Sequence, residues 1–270
     1  MSQVFITAGE LADMLGRGEP VTLLDVRWSL SEPDGTEAYR RAHLPGAVYV
    51  SLDDELSDHS VTARGRHPLP SGTSLQAAAR RWGVRTGVPV VVYDDWNRAG
   101  SARAWWVLTA AGIPDVRILD GGLSAWRGDM RSGTEVVEPG DVTVAHDDLY
   151  DGALPTVTAD EAAAAPALID ARAPERFRGD SEPVDPVAGH IPGARNVPST
   201  SLLTDAGTLR DDLSARFGTI DAQPAVYCGS GVTASVVVAA LASVGVDAAL
   251  FPGSWSQYSA ESARPVALGE

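Results

Sequence analysis

The sequence holds one cysteine, Cys228, in the run Tyr227-Cys228-Gly229-Ser230-Gly231-Val232-Thr233, and chemistry is most concentrated there. A short apolar stretch leads into it. An Ala- and Val-rich helical stretch follows and is closed by Gly245. Two glycines let successive N–H groups turn toward one atom, and a loop of that kind at a helix start favours an anion such as a thiolate. A lone cysteine is more often a small core hydrophobe. A buried spacer, however, has no use for a Gly-x-Gly loop between strand and helix, so Cys228 is the expected nucleophile and Gly229, Ser230, Gly231, Val232 and Thr233 its anion cradle.

Three chemistries use such a cradle. A cysteine phosphatase needs a guanidinium six residues after the nucleophile to grip phosphoryl oxygens, and Ala234 stands there. A cysteine hydrolase needs a histidine base near the sulfur. His43, His59, His67, His146 and His190 are all distant in sequence, so spacing leaves that option open. Sulfur transfer, in which the thiolate takes a sulfur atom and holds it as a persulfide anion, needs only the cradle's backbone donors.

The elements that must position this loop occur twice. Phe5-Ile6-Thr7-Ala8-Gly9-Glu10 recurs as Thr156-Val157-Thr158-Ala159-Asp160-Glu161, and Leu23-Leu24-Asp25-Val26-Arg27 as Leu168-Ile169-Asp170-Ala171-Arg172. His43-Leu44-Pro45-Gly46-Ala47 recurs as His190-Ile191-Pro192-Gly193-Ala194, and Val90-Val91-Val92-Tyr93-Asp94 as Pro224-Ala225-Val226-Tyr227-Cys228. Gly121-Gly122-Leu123-Ser124-Ala125-Trp126 matches the stretch from Pro252 to Tyr258. Five matched segments in one order indicate a duplication with altered loop lengths. The expected organisation is an N-terminal domain at 1–130 without a nucleophile, a surface linker at 131–155 and a C-terminal domain at 156–270. Strands expected at Val21 to Leu24, Val88 to Tyr93, Val116 to Leu119, Leu168 and Ile169, Ala225 to Tyr227 and Ala248 to Phe251 alternate with helical stretches. That alternation predicts an α/β fold, each domain a mainly parallel sheet with helices on both faces, with ligands at the carboxyl ends of the strands.

Composition narrows the function further. The 270 residues suffice for two cores, and 44% apolar with 21% charged residues is ordinary globular usage. A net charge of −15 disfavours nucleic acid and anionic membrane as partners. All 21 basic residues are arginine, which excludes Schiff-base, pyridoxal and P-loop lysine chemistry. A single cysteine excludes an intramolecular disulfide and a Cys-rich metal site and fits a reducing cytoplasm. The stretch Met1 to Thr7 lacks a basic region followed by an apolar run, so no targeting segment is expected.

These residues resemble the tandem-domain sulfurtransferases, the family of rhodanese (thiosulfate sulfurtransferase) and 3-mercaptopyruvate sulfurtransferase. The resemblance rests on the six-residue loop Cys228 to Thr233, both His-x-Pro-Gly-Ala segments, the paired Asp-x-Arg strand ends and Pro252-Gly253-Ser254-Trp255, and it covers nearly the whole chain. It implies a persulfide on Cys228, with a small-molecule sulfur donor and a thiophilic acceptor such as cyanide, a small thiol or a reduced protein thiol as partners. No metal and no organic cofactor are implied. Asp94 takes the cysteine's place in the first domain, and Asp94, Trp96, Asn97 and Arg98 are expected to wall a cleft, with Trp255 and Trp126 flanking it.

Arg176, in Glu175-Arg176-Phe177-Arg178-Gly179, matches the family's arginine for the donor's anionic end. The uncharged Gly229-Ser230 is similar to the mercaptopyruvate type, whose loop serine is implied to work with a histidine and an aspartate; His43 and Asp34 are the candidates. That type also has a second arginine in an acidic-Pro-Arg stretch, whereas Glu182-Pro183-Val184-Asp185 offers Val184, so thiosulfate is the favoured donor. His43 and His190 have a plainer use as ties from loop to backbone carbonyls, and Asp25 and Asp170 as strand-end residues bonded to neighbouring loops. The reading from another class is a rhodanese-like binding or redox-sensing module.

Overall fold

The duplicated apolar runs become the strands of two parallel sheets in the computed structural model, which describes residues 3–270. Met1 and Ser2, where the expectation of an untargeted N-terminus begins, lie outside the described residues. The chain divides into two compact units. The first comprises residues up to Asp58 with Leu69–Leu154 and Thr204–Leu209, and the second His59–Pro68, Pro155–Leu203 and Arg210–Glu270.

The first unit contains β1 (Phe5–Ile6), α1 (Ala8–Gly16), β2 (Thr22–Asp25), α2 (Thr36–Arg41), β3 (Val48–Tyr49), α3 (Leu52–Glu55), α4 (Gly72–Arg81), β4 (Val90–Tyr93), α5 (Ala99–Ala110), β5 (Val116–Leu119) and α6 (Gly122–Ala125). Its strand order is β1-β5-β4-β2-β3, every pairing parallel. The second contains α7 (Ala159–Ala164), β6 (Leu168–Asp170), α8 (Pro174–Arg178), β7 (Arg195–Asn196), α9 (Leu213–Phe217), β8 (Ala225–Tyr227), α10 (Thr233–Ser243), β9 (Ala249–Leu250) and α11 (Ser254–Tyr258). Its order is β7-β6-β8-β9, again parallel throughout. A parallel bridge from Thr156 to Leu250 stands where β1 stands beside β5 in the first unit, so the two topologies coincide.

Local chemistry repeats with the topology. Each unit opens on a capping box: Thr7 Oγ1 accepts from Glu10 N at 3.2 Å while Glu10 Oε2 accepts from Thr7 N at 2.8 Å, and Thr158 with Glu161 does the same. β4 is buried at all four residues, as a central strand covered on both faces must be. The helices after the central strands, α5 and α10, are mostly apolar and almost wholly buried, which is why they show no amphipathic stripe in sequence. The core of the second unit joins Leu168, Ile191, Ala225, Tyr227, Phe251 and Trp255 across the sheet.

The strand-end Asp-x-Arg pairs are buried fixtures for the His-x-Pro-Gly turns. Arg27 donates to both carboxylate oxygens of Asp25 and to Ala42 O, and Arg172 to those of Asp170 and to Gly189 O. The hydroxyls of Tyr93 and Tyr227 accept from Leu44 N and Ile191 N, both at 3.1 Å. Burial raises both phenols above their ordinary range, so these tyrosines stay neutral.

Two stretches differ from the expected division of the chain. Residues 131–154, expected as a linker, run along the first unit: Gly140 N donates to Arg80 O, Ala145 N to Ala111 O, and Val142 and Leu149 are buried. Turn-rich composition signalled irregular backbone, and irregular backbone can still pack. His59–Pro68, from the first half of the sequence, clusters with the second unit.

Candidate active site

Cys228 follows the last residue of β8, and α10 begins five residues later, so strand and helix fix both ends of its loop. The thiol is buried, 1% exposed, and Gly231 N donates to Sγ at 3.2 Å. Gly231 adopts a φ of +79°, and a Cβ there would stand 2.4 Å from Pro252 O, so only glycine fits. The turn entering α11 braces the loop from behind. Ser254 Oγ accepts from Cys228 N at 3.0 Å, Trp255 N donates to Cys228 O at 3.0 Å and Ser256 N to Gly229 O at 2.9 Å. Ser254 reaches this position with a φ of +52°, unusual for a residue with a side chain. Val232 is buried and Thr233 opens α10. Sulfur, loop and brace are thus tied together by backbone and side-chain hydrogen bonds into one piece.

Ser230, next but one to the cysteine, shares a 2.7 Å hydrogen bond with His67 Nδ1, and both residues are buried. His67 lies in Arg64-Gly65-Arg66-His67-Pro68, which docks on the brace: Arg66 N donates to Ser256 Oγ at 3.1 Å. The histidine beside Ser230 is therefore His67, not the expected His43. His43 belongs to the first unit, with Nδ1 2.9 Å from Tyr39 O and its ring stacked on Tyr39 at 4.1 Å. His190 repeats this use in the second unit, 2.8 Å from Phe177 O. A His-x-Pro-Gly turn thus spends its imidazole on its own loop. Asp34 likewise belongs to no relay with Ser230: its carboxylate is exposed in the first unit and accepts from Thr36 N at 2.9 Å.

Arg176, expected to bind the donor, stands beside the cysteine loop. A Cβ on Gly229 would meet Arg176 Nη1 at 3.4 Å and Arg66 Nη2 at 3.1 Å, so two guanidinium groups border the space over the cysteine loop. Arg176 is held by Glu182, at 2.6 Å, and by Asp185, at 3.1 Å. Arg66 also pairs with Asp185. Glu182 bonds Arg172, at 3.3 Å, and Arg172 bonds Asp170, so carboxylates and guanidiniums alternate from the end of β6 to Arg66. Burial works to raise the Glu182 carboxyl, but Arg176 and the N–H groups of Asp185 and Val184 outweigh it and hold it below the usual range. For Asp185 burial prevails and its carboxyl is pushed up.

Trp255, expected beside a cleft, is wholly buried: its Nε1 donates to Val187 O at 2.9 Å and the Arg172 guanidinium lies 4.6 Å over its ring. A large aromatic next to a strand end gained more from the core than from the surface.

In the first unit the loop after β4 has the same reach, from Asp94 to the start of α5 five residues on, but it is filled. The Asp94 carboxylate accepts from the N–H groups of Trp96, Arg98 and Ser101 and from Ser101 Oγ. Arg98 pairs with it at 3.0 Å, both side chains nearly inaccessible. A Cβ on Gly122 would strike Arg98 at 1.7 Å. Asp94 and Arg98 were expected to wall a cleft; they instead occupy their own cradle, a carboxylate where the second unit has sulfur. Asn97 Oδ1 accepts from Ala99 N, and Trp96 is exposed.

Two copies of one parallel α/β unit, one with a free cysteine in its loop cradle and one whose equivalent cradle is filled by an ion pair, define a two-domain protein with a single thiol at a strand end. Comparison with known proteins makes the class specific. Residues 7–129 and 156–261 each match the Rhodanese-like domain family. SseB of Mycobacterium tuberculosis, which carries a thiosulfate sulfurtransferase name, is 63% identical over 99% of this chain and 98% of its own. The 3-mercaptopyruvate sulfurtransferase of Escherichia coli is 34% identical over 97% of each. The crystal structure of SseA from Escherichia coli superposes with a TM-score of 0.80 over 95% of this chain and all of that one, at 32% identity. The chain belongs to the rhodanese family in its tandem form, and it is a sulfurtransferase.

Proposed function

We propose that this protein moves the outer sulfur of thiosulfate to cyanide or a thiol through a persulfide on Cys228. The observation that carries the reading is the pair of guanidinium groups over Gly229, beside the loop that holds the sulfur. In the first half-reaction the Cys228 thiolate attacks the outer sulfur of thiosulfate. A new S–S bond forms, the old one breaks, and its electron pair leaves on sulfite. In the second, the acceptor attacks the terminal sulfur of the persulfide and the S–S electron pair returns to Cys228, so no external oxidant or reductant is consumed. Guanidiniums suit the sulfonate-like end of the donor, and Gly231 N–H suits the anionic sulfur. We place the reaction in a reducing cytoplasm, where the lone thiol stays free; no helix among the described residues is long and apolar enough to cross a membrane.

The Ser230–His67 pair favours 3-mercaptopyruvate as a second donor. When Cys228 takes the sulfur of that donor, the C–S electron pair remains as an enolate that needs a proton, and a hydroxyl bonded to an imidazole can deliver one. Steady-state transfer to cyanide from each donor, with Cys228→Ser as control, tests the proposal. Higher kcat/KM with thiosulfate and no turnover in the variant are expected. Turnover surviving in Cys228→Ser would end the persulfide reading, and inertness toward both donors would leave a binding module.

A further inference from the structure

Arg66 has no counterpart among the expected site residues. It stands outside the duplicated motifs, and its neighbours in sequence, Gly65 and His67, read as an ordinary loop. Its placement is nevertheless specific. Gly65, at a φ of +83°, lies so close to Gly253 that a Cβ would be 2.4 Å from the Gly253 carbonyl oxygen, and this close approach sets Arg66 beside the cysteine loop. Asp185 then divides the two arginines in the same way. It takes Nη1 of Arg66 and Nη2 of Arg176, while Glu182 takes Nε and Nη2 of Arg176.

What remains are the opposite corners of the two guanidiniums, Nη2 of Arg66 and Nη1 of Arg176, and these are the atoms that border the space over Gly229. Neither has a hydrogen-bond partner among the described residues, and Arg66 Nε is buried without one. Asp185 is buried by more than its partners' charges offset, so it is an expensive carboxylate to keep. Its use is to aim two cations at one point. The same segment forms one side of a cavity of about 430 Å³ lined also by Gly65, Val184, Pro186 and Gln257.

We infer that Arg66 and Arg176, aimed by Asp185 between them, form a two-guanidinium clamp over Gly229 that binds the oxyanion end of the sulfur donor. The inference rests on the proposed donor chemistry but concerns this chain's own residues. Arg66, arriving from a distant segment, supplies the second cation that Val184 does not. Each guanidinium offers N–H donors to a different oxygen of one tetrahedral anion, and that fixes the outer sulfur toward Cys228. Asp185 is a positioning residue.

The two halves of the reaction separate clamp from scaffold. In Arg66→Met, kcat/KM for thiosulfate is expected to fall at least about tenfold, the loss of one charge-assisted contact, with kcat/KM for dithiothreitol, an uncharged acceptor, unchanged. An equal loss in both half-reactions, or none in either, would overturn the clamp, because a merely structural tie has no reason to distinguish donor from acceptor. Asp185→Asn is expected to move the same parameter in the same direction by a smaller factor.

A second measurement does not depend on turnover. Sulfate has the shape of thiosulfate and no sulfur to give, so it should slow alkylation of Cys228 by iodoacetamide in the wild-type protein and not in Arg66→Met. Equal protection of both proteins, or of neither, would refute the clamp. Should thiosulfate fail as a donor for the wild type, the proposed function falls, and the sulfate comparison still decides whether Arg66 binds an oxyanion.

Discussion

A thiolate that passes sulfur on needs surroundings that suit both the leaving group and the transferred sulfur, and in the proposed reaction separate groups serve each. Gly231 N–H donates to the sulfur, Arg176 borders the space over Gly229, and Ser230, two residues from the sulfur, is bonded to His67. The pair has a consequence at the scale of one residue. Sulfite leaves as a stable anion and needs no proton, whereas the enolate from 3-mercaptopyruvate does. His67→Ala is therefore expected to lower kcat for 3-mercaptopyruvate by about 100-fold, the usual worth of a placed acid or base, and to change kcat for thiosulfate only slightly. Equal losses with both donors would show that the imidazole only holds the loop. The buried Asp94–Arg98 pair shows the opposite use of the same backbone: a cradle for an anion, satisfied by a carboxylate from within.

At the scale of elements, the loop between β8 and α10 depends on the turn into α11 that braces it. Gly231→Ala would put a methyl group against Pro252 O in a left-handed backbone, at a cost of about 1–3 kcal/mol in strain. Expected is a loss of roughly tenfold in cyanide-reactive sulfur bound per chain after incubation with limiting thiosulfate; unchanged loading would mean that the loop relaxes without cost. The capping boxes make a different prediction, for stability. Glu10 lies below the usual carboxylate range because the backbone N–H and then the hydroxyl of Thr7 bond its charged form. A folded-state value below the unfolded one stabilises the fold above the unfolded value, and that contribution is lost as pH falls through the folded value. Thr7→Ala should thus cost about 1 kcal/mol near neutrality. Because the variant keeps the backbone N–H and loses only the hydroxyl's bond to Glu10, the gap in unfolding midpoint should narrow on acidification below about pH 4, and a gap independent of pH would exclude that hydroxyl bond as its source.

At the scale of the whole molecule, duplication gave two equal topologies, and divergence left one cradle open and one filled. The division of labour does not follow the midpoint of the sequence. His59–Pro68 precedes most of the first unit in the chain yet packs with the second, where it delivers Arg66 and His67 to the cysteine loop. Replacing that segment in the full chain by a Gly-Ser stretch of equal length is expected to reduce kcat/KM for either donor by at least about 100-fold, since an oxyanion contact and a proton relay leave together. The two sheets should keep their circular dichroism. Retained activity would show that the His59–Pro68 segment, with Arg66 and His67, is dispensable.

The sequence alone determined that there are two α/β copies, that Cys228 stands in the loop after the central strand of one and that Asp94 stands in its place in the other. Those conclusions rest on signals within a few residues: β-branched runs, glycines at a turn, a residue type repeated in order. Tertiary structure alone decided which histidine meets Ser230, that Trp255 belongs to the core, that residues 131–154 pack on the first unit and that Arg66 joins Arg176. His67 and Ser230 are 163 positions apart, and nothing periodic marks either partner of such a contact. A loop's path is set by what it packs against, here the close approach of Gly65 to Gly253, and that fit exists only once the chain has folded.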